Sequence, residues 1–166
     1  MSGNFNRIPD LIEQLDYLAT HQVVIGIFID ATREDGGPML KIAYAHEFGA
    51  KIPKRFKNGP PEGGDSAPWI IIPERSFLRA GFDANADEIQ EKMDHLLDLV
   101  FSLKITGKAA LEALGVFVVG RIQAYLVDLK TPPLKDQTIR RKGSSNPLVD
   151  TGQLKDSITW KIEGIK

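Results

Sequence analysis

The stretch from Lys41 to Ala80 constrains this chain more than any other, because it orders a helix, a stop, a long excursion and a strand within forty residues. It reads K-I-A-Y-A-H-E-F-G, then a Pro/Gly-rich run, then W-I-I-I-P-E-R-S-F-L-R-A. Leu40, Ala43, Tyr44 and Phe48 recur at helical spacing, which predicts a short helix with those residues as its apolar face. Gly49 stands where a left-handed C-terminal cap is wanted, since glycine alone pays no Cβ penalty there. Trp69 to Ile72 is an apolar, β-branched run that Pro73 closes, so it reads as a strand. Between them, Lys51 to Pro68 holds four prolines and three glycines, which argues for a long loop or an extended hairpin tip.

The flanking chain supplies helices and two further strands. Ile8, Leu11, Ile12, Leu15 and Leu18 form one apolar helix face, and Pro9 suits its first turn. Gln22 to Asp30 is β-branched and apolar on both parities, which predicts a central strand covered on both faces. Asp35-Gly36-Gly37-Pro38 breaks the chain into a turn. Asp83 is expected to cap a helix carrying Ile89, Met93, Leu96, Leu97 and Val100. Thr106 is expected to cap another from Lys108 to about Leu129, buried along Leu111, Leu114, Val118, Ile122, Tyr125 and Leu129. Gly115 and Gly120 weaken that helix and read as points of close approach. Thr131-Pro132-Pro133 ends it. Lys135 to Lys142 allows one or two helical turns, and Ile158 to Ile162 reads as a last short strand. The whole, residues 1–166, is expected to be a single domain with strands at 22–30, 69–72 and 158–162 and long helices between them.

Composition removes several classes of chemistry. At 166 residues the chain can bury a real core, and 42% hydrophobic with 26% charged residues is ordinary for a globular protein. A net charge of −1 gives no global pull toward nucleic acid or membrane. The chain has no cysteine, so disulfides, thiol catalysis and thiolate metal sites are excluded. The N-terminus shows no apolar run flanked by basic residues, so no secretory signal is expected. The most apolar stretch, Leu111 to Val119, is shorter than the roughly 20 residues a bilayer needs.

His46-Glu47 invites a zinc-protease reading, but H-E-x-x-H requires histidine where Ala50 stands. A histidine there instead complements the negative end of a helix. Nothing around Ser76 or Ser157 resembles a nucleophile elbow, and Gly63-Gly64 neither follows a strand nor opens a helix. Asp150-Thr151-Gly152 lacks the second aspartate of a protease dyad. It reads as a cap for a helical turn through Gln153, Leu154 and Ser157. The basic residues Lys135, Arg140, Arg141 and Lys142 are interrupted by aspartate, without aromatics to stack bases, and read as a solvated face. No catalytic residue, metal or cofactor follows from this sequence.

With catalysis set aside, three segments together resemble a family: the minor structural proteins of tailed bacteriophages and prophages, which include head–tail connector, tail-completion and virion-morphogenesis proteins. The first is Ala43-Tyr44-Ala45-His46-Glu47-Phe48-Gly49. The second is Ile72-Pro73-Glu74-Arg75-Ser76-Phe77-Leu78-Arg79. The third is Leu134 with Thr138-Ile139-Arg140-Arg141-Lys142-Gly143, then Pro147-Leu148-Val149-Asp150-Thr151-Gly152-Gln153-Leu154 and Ser157-Ile158. Their order and approximate spacing agree, over most of the chain from Lys41 onward.

The resemblance implies a structural virion component without enzyme activity or cofactor, working through subunit contacts in a ring at the head–tail junction or tail end. It also implies a single-domain α+β fold, a small, mostly antiparallel sheet packed against several helices, with which the strands and helices read above are compatible. The expected partners are other head–tail or tail proteins and further copies of the chain, joining from a monomer as assembly proceeds. The expected location is the virion, and the host bacterial cytoplasm during assembly. Neither a membrane nor a specific nucleic acid is expected as partner. Tyr44, His46, Glu47, Gly49, Arg75, Phe77, Arg79, Asp150, Thr151, Gly152 and Leu154 are the candidate structural and assembly residues.

Two physical expectations accompany these residues. Glu47 near a helix C-terminus is disfavoured by the dipole, which calls for a guanidinium partner in Arg75 or Arg79. Lys51, Lys54, Arg55, Phe56 and Lys57 form a basic, partly apolar segment suited to ordering against a neighbour. Two other classes compete: a small hydrolase or metal-dependent enzyme, and a nucleic-acid-binding module using the Lys51–Lys57 and Lys135–Lys142 patches.

Overall fold

The computed structural model of the protein describes residues 6–32, 36–54, 69–134, 139–140, 148 and 152–165. The chain is α+β, with two small antiparallel sheets among its helices. Helix α1 (Ile8–Thr20) leads directly into strand β1 (His21–Gly26). Helix α2 (Met39–Glu47) is followed by strands β2 (Ala50–Pro53) and β3 (Trp69–Ile72). Then come α3 (Arg79–Ala84), α4 (Ala86–Phe101), α5 (Gly107–Asp128), α6 (Gln153–Asp156) and strand β4 (Thr159–Gly164).

Helix α5 is the centre. Its 22 residues span about 33 Å, and α1, α3, α4, α6, β1 and β4 all pack on it. Thr106 caps it as expected, its hydroxyl accepting from the Ala109 N–H at 3.1 Å. The helix is apolar on most sides, which its many neighbours require. Its length and apolarity would also satisfy a membrane span, so the short apolar run read from the sequence understates it. Its buried positions are Gly107, Ala110, Gly115, Val118, Ile122 and Leu126. The expected stripe is fully buried at Val118 and Ile122, and Leu114 and Leu129 are partly buried against the same core. Several neighbours, rather than a single one, decide which side chains are covered.

Strands β1 and β4 pair antiparallel, with Ile25 opposite Trp160 and Val23 opposite Ile162. Both strands pack on α5, and Trp160 of β4 reaches Gly115 of that helix. The alternate residues Gln22, Thr159, Lys161 and Glu163 are exposed or nearly so. This corrects the expected central strand. β1 ends at Gly26, pairs with β4 alone among the described strands, and keeps one face largely polar. Ile27 turns into the core while Ile29 is 86% exposed, because a turn closes at Ala31, whose N–H donates to the Phe28 carbonyl.

Two other boundaries differ. Asp83 lies inside α3, and Asn85 rather than Asp83 precedes α4. Ala50–Pro53, read within a loop or hairpin tip, is a strand paired with β3 in the register Ala50–Ile72 to Pro53–Trp69. The main core joins Met39, Ala43, Phe77, Ile89, Val118, Ile122, Leu126, Leu148, Leu154 and Ile158. A smaller cluster of Leu96, Val100 and Ala110 sits where α4 meets α5, with Leu18 of α1 against it. The turns expected over 135–142 fall mostly outside the described residues, as do Asp35 and the tip at 55–68.

The two interior glycines of α5, Gly115 and Gly120, predict opposite substitution effects. A Cβ on Gly115 would lie 2.5 Å from the Trp160 ring, whereas one on Gly120 meets nothing within 4 Å. Gly115→Ala is expected to lower stability by about 1–3 kcal/mol through overpacking. Gly120→Ala should raise it by about 0.4–1 kcal/mol. Urea unfolding of the two variants checks both signs.

Candidate functional site

The site grows from one carboxylate. Helix α2 buries Met39, Ala43 and Glu47, which are four residues apart and so share a face. The expected apolar face of Leu40, Ala43, Tyr44 and Phe48 is correct only at Ala43. Leu40, Tyr44 and Phe48 are 40%, 65% and 50% exposed, while Glu47 is 3% exposed. The helix turns its charged residue inward because what it meets there is a set of hydrogen-bond donors.

Those donors are the start of α3. The Phe77 and Leu78 N–H groups donate to Glu47 Oε2 at 2.8 and 2.9 Å. The Ser76 hydroxyl, the Arg79 N–H and Arg79 Nε donate to Oε1 at 2.7, 3.1 and 3.0 Å. A helix leaves its first N–H groups without intrahelical partners and carries partial positive charge there. The carboxylate thus sits at the unfavourable end of α2 and the favourable end of α3 together. Burial alone pushes the Glu47 carboxyl up, but the bonds from Leu78, Ser76 and Arg79 outweigh it and hold it below the ordinary glutamate value.

The partner arginines divide the work. Arg79 is the guanidinium that meets Glu47; it also binds the Glu47 carbonyl at 3.1 Å and Glu74 at 2.9 Å, and lies 4.7 Å over the Phe48 ring. Its carboxylate bonds hold its proton more tightly than usual. Arg75, 4% exposed, instead donates to the carbonyls of Pro132 at 2.9 Å and Pro133 at 3.4 Å, tying this region to the end of α5. Burial pushes its guanidinium below the usual value. The Arg75 N–H donates to the His46 carbonyl at 2.7 Å, satisfying a C-terminal carbonyl of α2.

Gly49 takes φ 72° just past α2, as expected, and its bare Cα meets the backbone of Ile72 and Glu74. A Cβ there would stand 3.1 Å from the Glu74 nitrogen and the Ile72 carbonyl oxygen, so the close approach needs glycine as much as the dihedral does. Phe77 is wholly buried. Leu154 and Ile158, 7% and 2% exposed, pack into the same core as Met39, Ala43 and Phe77.

The expected aspartate or threonine cap is corrected in one respect. Gly152, at φ 84°, occupies the N-cap of α6 and carries no side-chain cap, while Asp150 and Thr151 lie outside the described residues. Tyr44 meets Phe48 in a tilted arrangement, ring centroids 4.7 Å apart, on the open side of α2, and His46 sits half-buried in its last turn.

From this clamp the β2–β3 ribbon projects. Opposed residues in an antiparallel pair share a face, so Lys51, Pro53, Trp69 and Ile71 line one side and Ala50, Ile52, Ile70 and Ile72 the other. Only Ala50 and Ile72, at the base, are half-buried; the rest are exposed on both faces. Trp69, Ile70 and Ile71 are 42%, 48% and 72% exposed. Lys51 Nζ lies 4.8 Å over the Trp69 ring, and Lys54 is half-buried beyond it. Arg55, Phe56 and Lys57 lie outside the described residues.

Sequence reasoning missed Ser76 as a donor to Glu47 and Glu74 as the second partner of Arg79. A serine three residues ahead of a helix start is the signal that could have found the first. Among the described residues, no group of three His, Asp or Glu side chains could hold a metal ion. Compared with known proteins, the chain matches no family model, no curated protein and no solved structure.

Glu47→Ala leaves the Phe77, Leu78 and Arg79 N–H groups without their acceptor and is expected to cost about 2–4 kcal/mol. Glu47→Gln keeps one acceptor and should cost less; denaturant midpoints measure both. The folded carboxyl titrates below its unfolded counterpart, so its stabilisation is complete above the unfolded value and is lost as pH falls through the folded one. The stability gap between wild type and Glu47→Gln is therefore expected to narrow from about pH 5 downward. A gap constant from neutral pH to about pH 3 would contradict the assignment.

Proposed function

We propose that the protein is a structural component of a tailed-phage or prophage virion, acting in tail completion or head–tail joining through ring-forming subunit contacts. One observation carries this reading. The segments that resemble the family, 43–49 and 72–79, are joined by a single carboxylate, and the described part of the third packs into the same core. Three separated motifs thus serve one structural unit. That convergence is what a shared scaffold requires, and it supports treating the resemblance as more than three short coincidences.

The chemistry of the unit supports a scaffold rather than a catalyst. A general base must have a lone pair within reach of a substrate proton. Both Glu47 oxygens are committed to five protein donors, and the side chain is buried. What the unit presents outward is apolar: Tyr44, Phe48 and the ribbon carrying Trp69, Ile70 and Ile71. An isolated two-stranded ribbon is marginal in water, and contiguous exposed apolar surface marks interaction sites. Neighbouring subunits are the occupants this reading supplies.

Deleting the gene from its phage or prophage tests the proposal. DNA-filled heads and free tails are expected to accumulate unjoined, with infectious yield lost and restored by the gene in trans. Normal particles and yield without the gene would overturn it.

A further inference from the structure

The ribbon carries an exposed aromatic side chain beside a cation, and a cleft elsewhere on the chain offers an apolar hollow beside a carboxylate. The cleft opens between α3, α5 and β1, holds about 440 Å³, and is lined by Ile25, Leu78, Phe82 and Ile122, with Arg79 and Asp83 at its polar side. Phe82 is 45% exposed there. Nε and Nη2 of Arg79 are turned to Glu47 and Glu74, so two carboxylates balance its charge, and Asp83 is the acidic side chain on the rim of an otherwise apolar hollow. A polar small molecule would find few convergent groups in it, whereas sites for such ligands place several. A large apolar side chain flanked by a cation fits better.

The ribbon offers that pair. Trp69 and Ile71 stand exposed on one face with Lys51, whose ammonium lies against the indole. We propose that this face seats in the Phe82 cleft of a second copy of the chain, head to tail, with Trp69 in the hollow and Lys51 against Asp83.

The charge distribution favours this arrangement over ribbon-to-ribbon pairing. Lys51 and Lys54 lie on the ribbon, and Arg55 and Lys57 follow in sequence, so two ribbons face to face would set like charges together. Further along the sequence, α4 adds exposed carboxylates. Asp87, Glu91, Asp94 and Asp98 are all exposed and recur at the spacing of one face of α4. A contact between two different patches leaves a free ribbon at one end and a free cleft at the other, so it extends until it closes. This deepens the assembly reading above and rests on it for its use in the virion, but its chemistry can be tested on purified protein.

The absence of cysteine from the chain makes it a clean background for thiol trapping. Pro53 lies opposite Trp69 on the same ribbon face, so Pro53→Cys reports on the ribbon while leaving Trp69 in place, and Phe82→Cys reports on the cleft. Mixed at millimolar concentration and oxidised, the two variants are expected to form a disulfide-linked dimer at least tenfold more than either variant alone. Adding Lys51→Asp to the ribbon variant should reduce that product several-fold. Adding Asp83→Lys to the cleft variant as well should restore it, which a merely misfolded ribbon would not allow.

Dimers of Pro53→Cys alone in comparable yield would replace the proposal with symmetric ribbon pairing. No mixed product, or one indifferent to both charge changes, would also overturn it. Because the trapping reads purified protein, a mixed dimer alongside normal virions in the deletion strain would refute the virion reading and keep the contact. Unjoined particles without a mixed dimer would do the reverse.

Discussion

A single buried carboxylate determines how the middle of this chain is arranged. Glu47 ends α2 and begins the environment of α3, so two helices that never pair along their length are held end to end. Removing a charge from water is costly, and the interior repays it only when donors satisfy both oxygens. Here the repayment comes mostly from backbone N–H groups that a helix start leaves open in any case. One side chain therefore resolves three problems: its own burial, the open amides of α3, and the position of Arg79. Gly49 and Arg75 complete the joint, the first by letting two backbones approach and the second by anchoring it to the carbonyls beyond α5.

Around this joint the fold is organised by contact with α5. An apolar helix with few charged positions needs neighbours on most sides, and it has them in α1, α3, α4, α6 and the β1–β4 pair. Gly115 admits the Trp160 ring of β4, so the sheet lies closer to the helix axis than any side chain there would allow. Ile165, just past β4, then fastens that strand to the end of α1, its N–H donating to the Thr20 carbonyl at 2.8 Å.

Much of this was legible before any coordinates. The start of α1 with its Pro9, the Thr106 cap, the Gly49 stop, the Trp69–Ile72 strand and the crossing at Gly115 follow from local chemistry, and each stands where the residues put it. Expectations failed where tertiary context decides. The run between Gln22 and Asp30 is apolar throughout, so its composition could not reveal that the chain leaves the sheet after Gly26. Ala50–Pro53 becomes a strand only because β3 pairs with it across a long excursion, and a proline within it argued the other way. On α2, hydrophobicity pointed to Tyr44 and Phe48, yet the inward residue is Glu47. That inversion is invisible to periodicity because the donors that cause it lie some thirty residues further along. The pairing of Glu47 with an arginine was nonetheless readable from the helix-end charge; its choice of Arg79 over Arg75 was not.

The placement of the clamp has a mechanical consequence. Both strands of the ribbon enter the body beside Glu47, β2 through Gly49 and β3 through the segment that ends at Phe77 and Leu78. A pull on the ribbon's far end is thus delivered to two chain segments riveted by the same carboxylate. Its five hydrogen bonds run between those two segments and hold them as one piece. A displacement at the base of either strand is therefore shared by the other, so motion of the ribbon reaches the end of α2 and the start of α3 together.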